Sequence, residues 1–513
     1  MPNPPGPPIP RPQGLRPRTL AEVAERLGED LPAGAKAGTE VTGIASDSRS
    51  VRPGDVYVAL PGSTAHGAQF AATARARGAV AIVTDPTGAR QAEVARLPSF
   101  VVADPRSRVG AFAAWIYGDP AGELQVIGVT GTNGKTTTAY LLEAGLRATG
   151  HRTGLVGTIE TRIGDDAVPS VRTTPEAADL QALLAVMRER GVDAVAMEVS
   201  SHALALGRVD GTTYDVAVFT NLSEDHLDFH TDLEDYFAAK SSLFTPGFSR
   251  VGVVNIDDPY GERLAAAATI PVVTVSPGGR AVADWRVQKV EVTGAGSSFR
   301  LIGPAGVTVE AGTALVGAFN VDNAALAIVA LALAGAEPDA AAKGVAGCSG
   351  VPGRMERVAE GQEFLALVDY AHTPDALDQL LVAARDLIRR GSGRVLLVIG
   401  AGGDRDPHKR SAMGAIAVRG ADVAILTNDN PRSEDPHAIL SALKDGAARS
   451  GGSATVEVVP DRKAAIDKAV GMAGPGDVVV VAGKGHEQGQ EVAGEVHPFD
   501  DRAVLRAAIA AAR

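Results

Sequence analysis

A glycine-containing loop with one lysine and several threonines offers the clearest chemistry in this 513-residue sequence. It follows a predicted strand and opens a predicted helix. Glycines let backbone N–H groups close on phosphate oxygens, a helix start carries partial positive charge, and a lysine there reaches the outer phosphates. Val129 stands where the general pattern has glycine, so a structural turn is the alternative. We predict that a nucleotide binds Gly131, Thr132, Asn133, Gly134, Lys135, Thr136 and Thr137, with the Thr136 hydroxyl as a ligand of Mg²⁺.

Further polar or glycine-rich clusters follow other short apolar runs. Open α/β sheets bind ligands outside the carboxyl ends of their strands, so the clusters are expected to share one region. One such cluster could be a turn, whereas their repetition favours a site. With the phosphate loop they read TGTNGKTTT, EVSSH, TNLSEDH, DYAHTP, GAGGDRD, TNDNPR and AGKGHE.

The apolar runs alternate with Ala/Leu-rich stretches, which is typical of an α/β protein with parallel sheets. Thr174 and Pro175 offer an N-cap and a first residue for one of the intervening helices, which ends at Gly191. The candidate strands are Gln125–Val129, Ala194–Met197, Val216–Phe219, Val251–Asn255, Phe364–Val368, Val395–Ile399, Val423–Leu426 and Val478–Val481.

Composition narrows the class of protein. There are 49 Lys and Arg residues against 61 Asp and Glu, a net charge of −12, which argues against a broad nucleic-acid or anionic-membrane surface. The single cysteine, Cys348, cannot form an intrachain disulfide. The longest apolar stretch, residues 324–334, is too short to span a bilayer, and the proline-rich start lacks a signal-peptide core. We expect a cytoplasmic protein with no membrane insertion.

The length corresponds to about three domains. Turn-rich segments place boundaries near residues 110 and 351. We therefore expect a disordered Pro-rich tail over residues 1–18 and domains over 19–110, 111–351 and 352–513.

The order of the motifs resembles that of the Mur ligases and their folylpolyglutamate synthetase relatives. The series also includes YFAAK, GAFNVDNAALA and GVPGRME, and its last members, GGDRD, DNPR and GKGHE, are similar to those of the diaminopimelate-adding type. The resemblance implies an α/β fold of three domains. These are a smaller N-terminal α/β domain for a UDP-linked substrate, a central P-loop ATPase-like domain with a parallel sheet, and a C-terminal Rossmann-like domain for the amino acid.

The resemblance implies a binding region for UDP-N-acetylmuramoyl-dipeptide. Small hydroxylic residues beside a glycine-rich turn suit hydrogen bonds to uracil, ribose or diphosphate, although such a segment is also an ordinary loop. Leu206 stands where some family members carry a Gln that contacts the substrate. The matching residues are Ser46, Ser48, Ser63, Thr64, Ala65, Thr173, Thr174, Ser200 and Arg208.

Two metal positions are implied in the same way. Glu198 follows a predicted strand, where its carboxylate can join Thr136 in holding Mg²⁺, although strand-end carboxylates are often simply exposed. His226 and Lys240 resemble the residues of a second Mg²⁺ site, in which family members carry a CO₂-derived carbamate on the lysine. A carbamate would replace a repelling ammonium with an anionic oxygen ligand.

Further residues of the resemblance belong to ATP and to its transferring phosphoryl group. Asn320, Asp369 and His372 match positions around adenine, ribose and γ-phosphate, and a turn histidine is the alternative for His372. Arg354 would bring delocalised positive charge from another domain. The catalytic set implied by the family is Lys135, Lys240, His226 and Arg354.

The amino-acid pocket is expected at the ends of three C-terminal strands. Diaminopimelate carries a distal ammonium and a distal carboxylate, so its pocket needs an anion and a cation. Arg432 offers a bidentate fork for the carboxylate and Glu487 suits the ammonium, whereas lysine would leave Arg432 unpaired. The predicted residues are Arg405, Asp429, Asn430, Pro431, Arg432, Gly483 and Glu487.

The implied reaction is ATP-driven amide formation through an acyl phosphate, in the synthesis of the peptidoglycan precursor. A lysine-adding or polyglutamate-adding relative is the nearer alternative, and a non-catalytic nucleotide-binding switch is the alternative from another class. The expected partners are small-molecule substrates and no nucleic acid, and we expect a monomer.

Overall fold

The computed structural model describes residues 9–62, 65–388 and 392–512. Its first domain is built on a four-stranded parallel sheet whose strands follow chain order. Buried apolar side chains cover both faces of this sheet. Its elements are β1 (Arg18–Thr19), α1 (Leu20–Leu27), β2 (Glu40–Val41), β3 (Gly43–Ala45), β4 (Asp55–Val58), α2 (Ala71–Ala76), β5 (Ala81–Thr84), α3 (Pro86–Ala92), β6 (Ser99–Val101) and α4 (Arg106–Ile116).

The second domain continues through β7 (Gln125–Thr130), α5 (Lys135–Ala148), β8 (Thr153–Val156), β9 (Glu160–Ile163), β10 (Asp166–Pro169), α6 (Ala177–Glu189), β11 (Ala194–Glu198), α7 (Ser201–Ala205), β12 (Tyr214–Phe219), α8 (Leu233–Ser241), β13 (Ser249–Asn255), α9 (Pro259–Ala267), β14 (Val272–Ser276), β15 (Trp285–Thr293), β16 (Gly296–Ile302), β17 (Thr308–Thr313), α10 (Phe319–Leu333) and α11 (Pro338–Ala346). The strand order is β10-β9-β8-β11-β7-β12-β13-β14-β15-β16-β17. The centre from β8 to β15 is parallel, and both edges are antiparallel. Central strands are buried on both faces, so they read as continuous apolar runs.

The third domain contains β18 (Glu356–Arg357), β19 (Leu365–Asp369), α12 (Pro374–Ile388), β20 (Val395–Ile399), α13 (His408–Gly420), β21 (Val423–Leu426), α14 (Pro436–Arg449), β22 (Thr455–Val458), α15 (Arg462–Met472), β23 (Val478–Ala482), β24 (Gly489–Val492), β25 (Glu495–Pro498) and α16 (Asp501–Ala511). Its sheet has the order β18-β19-β23-β20-β21-β22 and is parallel except for β18. Helices cover both faces. The three-domain α/β fold with parallel sheets is confirmed.

Residues 9–18, here called the N-terminal strap, cross from the first domain to the second. Ile9 packs against the core of the second domain. Arg11 Nη2 lies 3.5 Å from Asp55 Oδ2 in the first domain. Farther along the strap, backbone N–H groups donate to the carboxylate of Glu189 at the end of α6, over distances of 2.7–3.0 Å. The strap therefore ties two domains together.

The end of the strap is fixed by Arg18. Its Nη2 donates to the carbonyl of Trp115 over 3.0 Å, and its guanidinium lies 4.6 Å from the centre of the Trp115 ring. The prediction of a disordered tail over residues 1–18 is therefore wrong for residues 9–18, because backbone donors and arginines find partners that composition does not reveal. Residues 1–8 lie outside the described residues.

The predicted domain boundaries and the predicted start of α6 differ from the structure or fall at other elements. The predicted boundary at residue 110 lies inside α4, whose apolar side chains join the first-domain core, so that domain extends at least to Ile116. The boundary predicted at 351 lies in the loop between α11 and β18. Helix α6 begins at Ala177 with Glu176 as N-cap, so Thr174 is not its cap. None of the helices in the described part of the chain has the length and apolar character needed to cross a membrane.

Candidate active site

A cavity of about 1000 Å³ lies where the second and third domains meet. It gathers residues from the carboxyl ends of β7, β11, β12 and β19, as expected for open parallel sheets. The predicted residues that line it are Thr132, Asn133, Gly134, Lys135, Thr136, Thr137, Thr173, Thr174, Glu198, Ser200, Arg208, His226, Lys240, Arg354, Asp369, His372 and Arg405.

The phosphate loop has the backbone that its glycines permit. Gly131 and Gly134 have φ values of 151° and 86°, and a Cβ at Gly131 would lie 1.9 Å from the Thr220 hydroxyl. The Lys135 ammonium curls back and donates to the carbonyls of Gly131 and Thr132, each over 2.9 Å. Burial lowers the pKa of Lys135. The lysine therefore lies at the mouth of the loop, beside the start of α5.

A segment after β12 holds this loop in place. Asn221 accepts from the backbone N–H of Asn133 through its side-chain oxygen over 2.9 Å. Ser223 and Thr132 are joined by a bond from the Ser223 backbone N–H to the Thr132 hydroxyl over 3.0 Å. The motif TNLSEDH thus supports the loop through residues that the sequence analysis did not name individually.

Glu198 is fully buried at the end of β11 and faces the start of α5. It accepts from the Thr136 hydroxyl over 2.9 Å, and from the backbone N–H and hydroxyl of Thr158 over 2.7 and 3.0 Å. Hydroxyl and carboxylate oxygens are the hard ligands that Mg²⁺ takes. The pair Thr136 and Glu198 therefore fits a magnesium ion beside bound phosphates.

Lys240, on α8, is 1% exposed. Its Nζ donates to the carbonyl of Gly131 over 2.7 Å and lies 4.4 Å from the centre of the Tyr236 ring. Burial, reinforced by the nearby Lys135 charge, lowers the pKa of Lys240 well below its ordinary value. Its amine thus touches the phosphate loop directly.

His226 follows Asp225 on the same loop and has a positive φ of 57°. Its Nε2 lies 3.5 Å from Asp225 Oδ2, and burial lowers its pKa to about 4. Among the described residues, no group of three or more His, Cys, Asp or Glu side chains is arranged to hold a metal ion.

Arg354 reaches the nucleotide site from the third domain. Its Nη2 donates to the Thr136 hydroxyl over 3.3 Å, and its guanidinium lies 4.5 Å from the centre of the Tyr370 ring. Asp369 accepts backbone N–H groups of Met355 and Ala371, both over 2.7 Å, and burial raises its pKa. The bond to Met355 fixes the backbone immediately after Arg354, and the bond to Ala371 fixes the turn that follows β19.

His372 makes a local turn contact and also lines the cavity. Its Nδ1 lies 2.9 Å from the carbonyl oxygen of Tyr370, and burial lowers its pKa. Asn320 does not line the cavity. It is 2% exposed, and it donates to the carbonyl of Val316 and accepts from Asn323. These bonds use the Asn320 amide in helix packing, and the neighbouring Asn323 lines the cavity, so a nucleotide contact at Asn320 stays a prediction.

Asp375, at the start of α12, joins the two domains directly. Its Oδ2 accepts from the Asn133 amide over 2.8 Å and from the Ser223 hydroxyl over 2.9 Å. The sequence analysis quoted the motif DYAHTP, which ends one residue earlier, and missed Asp375. An acidic side chain pointing at a phosphate loop has no recognisable sequence signal.

The predicted substrate residues divide into two places. Thr173, Thr174, Ser200 and Arg208 line the main cavity, where Thr174 donates to the Glu198 carbonyl over 2.9 Å. Ser46, Ser48 and Ala65 lie instead in the first domain, after the parallel strands β3 and β4. Ser63 and Thr64 lie outside the described residues. Leu206 is the C-cap of α7.

The predicted amino-acid residues lie at the carboxyl ends of β20, β21 and β23. Arg432 has a φ of 54°, and its Nη1 donates to the carbonyl of Gly403 over 2.6 Å. Its Nε lies 3.3 Å from Glu491 Oε2, and its backbone bridges to Val492 of β24. The hairpin β24–β25 thus holds Arg432 in place.

A second group joins the two neighbouring loops. Asn430 donates to Glu487 over 2.8 Å and accepts from the ammonium of Lys484 over 2.8 Å. Lys484 is fully buried and also donates to Glu487 over 3.0 Å. A Cβ at Gly483 would lie 2.5 Å from Asp429 Oδ2, so that position requires glycine. Of the remaining predicted residues, Pro431 contributes its backbone beside Gly403, and Arg405 faces the main cavity.

Comparison with known proteins agrees with this geometry. Three family profiles match in chain order: "Mur ligase family, catalytic domain" over residues 40–115, "Mur ligase middle domain" over 129–331, and "Mur ligase, glutamate ligase domain" over 353–485. The chain is 58% identical, over 98% of its own length and 98% of the relative's, to a UDP-N-acetylmuramoyl-L-alanyl-D-glutamate--2,6-diaminopimelate ligase of Streptomyces coelicolor. The chain belongs to the Mur ligase family.

Two more Mur ligase relatives bear on the site. A UDP-N-acetylmuramyl-tripeptide synthetase of Leifsonia xyli subsp. xyli is 48% identical over 98% of both chains. A solved structure of a UDP-N-acetylmuramoyl-L-alanyl-D-glutamate--2,6-diaminopimelate ligase matches with a TM-score of 0.67 and 33% identity, covering 97% of this chain and 99% of that one. Membership makes this protein an ATP-dependent amide ligase and excludes the non-catalytic switch.

Proposed function

We propose that this Mur ligase adds diaminopimelate to UDP-N-acetylmuramoyl-L-alanyl-D-glutamate with ATP, in the synthesis of the peptidoglycan precursor. The observation that carries the proposal is the 58% identity, along nearly the whole of both chains, to a diaminopimelate ligase. Arg432 supports it, because a pocket for lysine has no use for a guanidinium aimed at a distal carboxylate. The substrates are small molecules, and we propose a cytoplasmic monomer.

The first step transfers the γ-phosphoryl group of ATP. The side-chain carboxylate of the D-glutamyl residue attacks the γ-phosphorus, and the bond between that phosphorus and the β-phosphate oxygen breaks. The products are ADP and an acyl phosphate. The Lys135 ammonium and the Arg354 guanidinium, which converge on Thr136 and the phosphate loop, stabilise the charge on the transferring group. We assign ATP binding also to Thr132, Asn133 and the cavity-lining Asp369 and His372.

The second step forms the amide. The amine of diaminopimelate attacks the acyl carbon, loses its proton and expels phosphate. Arg432 and Glu487 orient the distal end of the amino acid, and Thr173, Thr174, Ser200 and Arg208 hold the peptide end of the other substrate. Asp375 joins α12 to the phosphate loop and to Ser223, and this contact between the two domains would help to exclude water from the acyl phosphate.

Magnesium belongs to the same proposal. Thr136 and Glu198 would hold one ion, which supplies a Lewis acid to the phosphate oxygens. We further propose that CO₂ converts Lys240 to a carbamate, whose oxygens would join His226 at a second ion. The burial of Lys240 against the phosphate loop supports this, because a carbamate at that position would offer the second ion an anionic oxygen ligand next to the phosphate loop.

Product analysis tests the function. Purified protein is incubated with the UDP-dipeptide, ATP, Mg²⁺ and bicarbonate, with diaminopimelate or L-lysine in parallel. We expect phosphate release that depends on diaminopimelate and a tripeptide product of matching mass. A preference for lysine would instead support the lysine-adding alternative and would overturn the role of Arg432.

A further inference from the structure

Arg462 and Asp501 form an ion pair in the interior of the third domain, and both side chains are fully buried. Arg462 begins α15 and Asp501 begins α16. The pair is bidentate: Nε donates to Asp501 Oδ1 and Nη2 to Oδ2, each over 2.7 Å. Neither residue belongs to the substrate-binding motifs discussed above.

The remaining donors of Arg462 face two strand ends. Nη2 donates to the carbonyl of Ala482 over 2.9 Å, and Nη1 to the carbonyl of Asn428 over 3.4 Å. Ala482 is the last residue of β23 and precedes Gly483, while Asn428 follows β21 and precedes Asp429. One guanidinium therefore contacts both the segment after β21 and the end of β23, where the backbone turns into the predicted amino-acid pocket.

A buried ion pair is a poor explanation for stability alone. Removing two charges from water costs about as much as their attraction returns, and apolar replacements of such pairs are often neutral or stabilising. The planar guanidinium, however, fixes donors in set directions, which an apolar pair cannot do. The geometry of Arg462 thus favours a role in placing the two loops.

On the pocket side of the same loops, Asn430 and Lys484 hold Glu487. The negative charges of Asp429 and Glu487 also interact with the Arg462 guanidinium, which lies behind the two loops. Two sets of contacts therefore connect the two loops: the hydrogen bonds among Asn430, Lys484 and Glu487 on the pocket side, and the bonds of Arg462 on the opposite side. A small shift of Arg462 would change the spacing between Glu487 and the Asp429–Arg432 segment.

We propose that Arg462 and Asp501 are positioning residues for diaminopimelate, which set the distance between the loop after β21 and the loop after β23. The inference rests on the proposed function, because it assigns the pocket to that amino acid. Neither side chain touches the substrate. Their replacement should weaken diaminopimelate binding specifically and leave the nucleotide site, formed between the second and third domains, unchanged.

The test compares Arg462→Lys, Arg462→Met and the double variant Arg462→Met/Asp501→Leu in the full chain. Arg394→Met is the control, because Arg394 pairs with Asp477 over 2.7 Å at the opposite edge of the same sheet, just before β20 and β23. For each protein, KM for diaminopimelate, KM for ATP and the thermal midpoint are measured. Arg462→Lys keeps the charge and the fold while losing the planar fork.

We expect the KM for diaminopimelate to rise about tenfold in Arg462→Lys and in the double variant, with the KM for ATP within about twofold of wild type. The double variant should recover the thermal midpoint that Arg462→Met loses, without recovering that KM. Recovery of both together, or an equal rise in Arg394→Met, would show a merely structural pair. An inactive wild type would refute the proposed function instead, whereas an active wild type with unchanged variants refutes the positioning role alone.

Discussion

At the scale of single residues, the site contains two lysine side chains that contact the phosphate loop, and Lys240 is buried. Lys240 is buried against the Gly131 carbonyl and the Tyr236 ring, and Lys135 curls over the same loop. An acidic protein that handles phosphates needs such local positive charge, and here each cation reaches the loop from a different element. Substitution of one of them therefore removes a distinct interaction.

Replacing Lys240 with Met should abolish ligation while leaving the fold intact. The apolar stem can still pack on Tyr236, but no group remains that CO₂ could modify. We expect kcat to fall about 100-fold or more, measured as ADP release, with ATP binding retained in calorimetry. Lys343→Met on α11 is the control, because that lysine is exposed. Activity near wild type in Lys240→Met would contradict both the carbamate and the second ion.

The choice of amino acid should depend on Arg432. In Arg432→Lys the bidentate fork is lost, so we expect the KM for diaminopimelate to rise roughly tenfold to hundredfold and the preference over lysine to shrink. Competition between the two amino acids, followed by product mass, measures this. The exposed Arg419→Lys serves as control. An unchanged preference would mean that the distal carboxylate is recognised elsewhere.

At the scale of elements, α12 and the phosphate loop form the joint between two domains. Asp375 contacts Asn133 and Ser223, and Arg354 contacts Thr136. These contacts connect the third domain to the nucleotide site before any amino acid binds. The equilibrium between closed and open arrangements should respond to them.

Asp375→Ala should therefore loosen closure. The Asn133 amide and the Ser223 hydroxyl lose a charged acceptor, so we expect the KM for ATP to rise about fivefold and the radius of gyration in X-ray scattering to increase. The exposed Asp339→Ala on α11 should do neither. A variant as compact and as tight for ATP as wild type would show that closure has another cause.

The strands could be predicted because each central strand of a parallel sheet is buried on both faces and so consists of consecutive apolar residues. The polar clusters could be predicted because they directly follow those runs in the sequence. All eight candidate strands exist, most extended by one or two residues. The predicted start of α6 was wrong, because the Thr174 hydroxyl donates to the Glu198 carbonyl and does not cap the helix. Asp375 and the packing role of Asn320 could not be predicted, since they depend on which side chains meet after the domains dock.

At the scale of the whole molecule, the N-terminal strap joins the first two domains beside a charged interface. Asp179, on α6, lies in this interface, and burial raises its pKa to about 6 despite the neighbouring Arg11. Glu176, Arg172 and Asp47 complete its charged surroundings. An acid whose pKa is higher in the folded than in the unfolded chain destabilises the fold once it ionises.

Stability should consequently fall as pH rises through about 6, and Asp179→Asn should remove that part of the fall. At pH 8 the variant should be more stable by at most about 3 kcal/mol, and at pH 4 the difference should vanish because wild-type Asp179 is then protonated. Calorimetric midpoints at the two pH values measure this. A variant less stable than wild type at pH 8 would show that the carboxylate is a net stabilising partner of Arg11.

The placement of Arg18 over the Trp115 ring has a spectroscopic consequence. The chain has two tryptophans, Trp115 in the first domain and Trp285 in the second, and the third domain has none. Tryptophan emission therefore reports on two domains only, and a cation 4.6 Å from one indole makes that indole sensitive to release of the strap. Melting of the third domain would pass unseen by tryptophan fluorescence, while detachment of residues 9–18 would register before any domain unfolds.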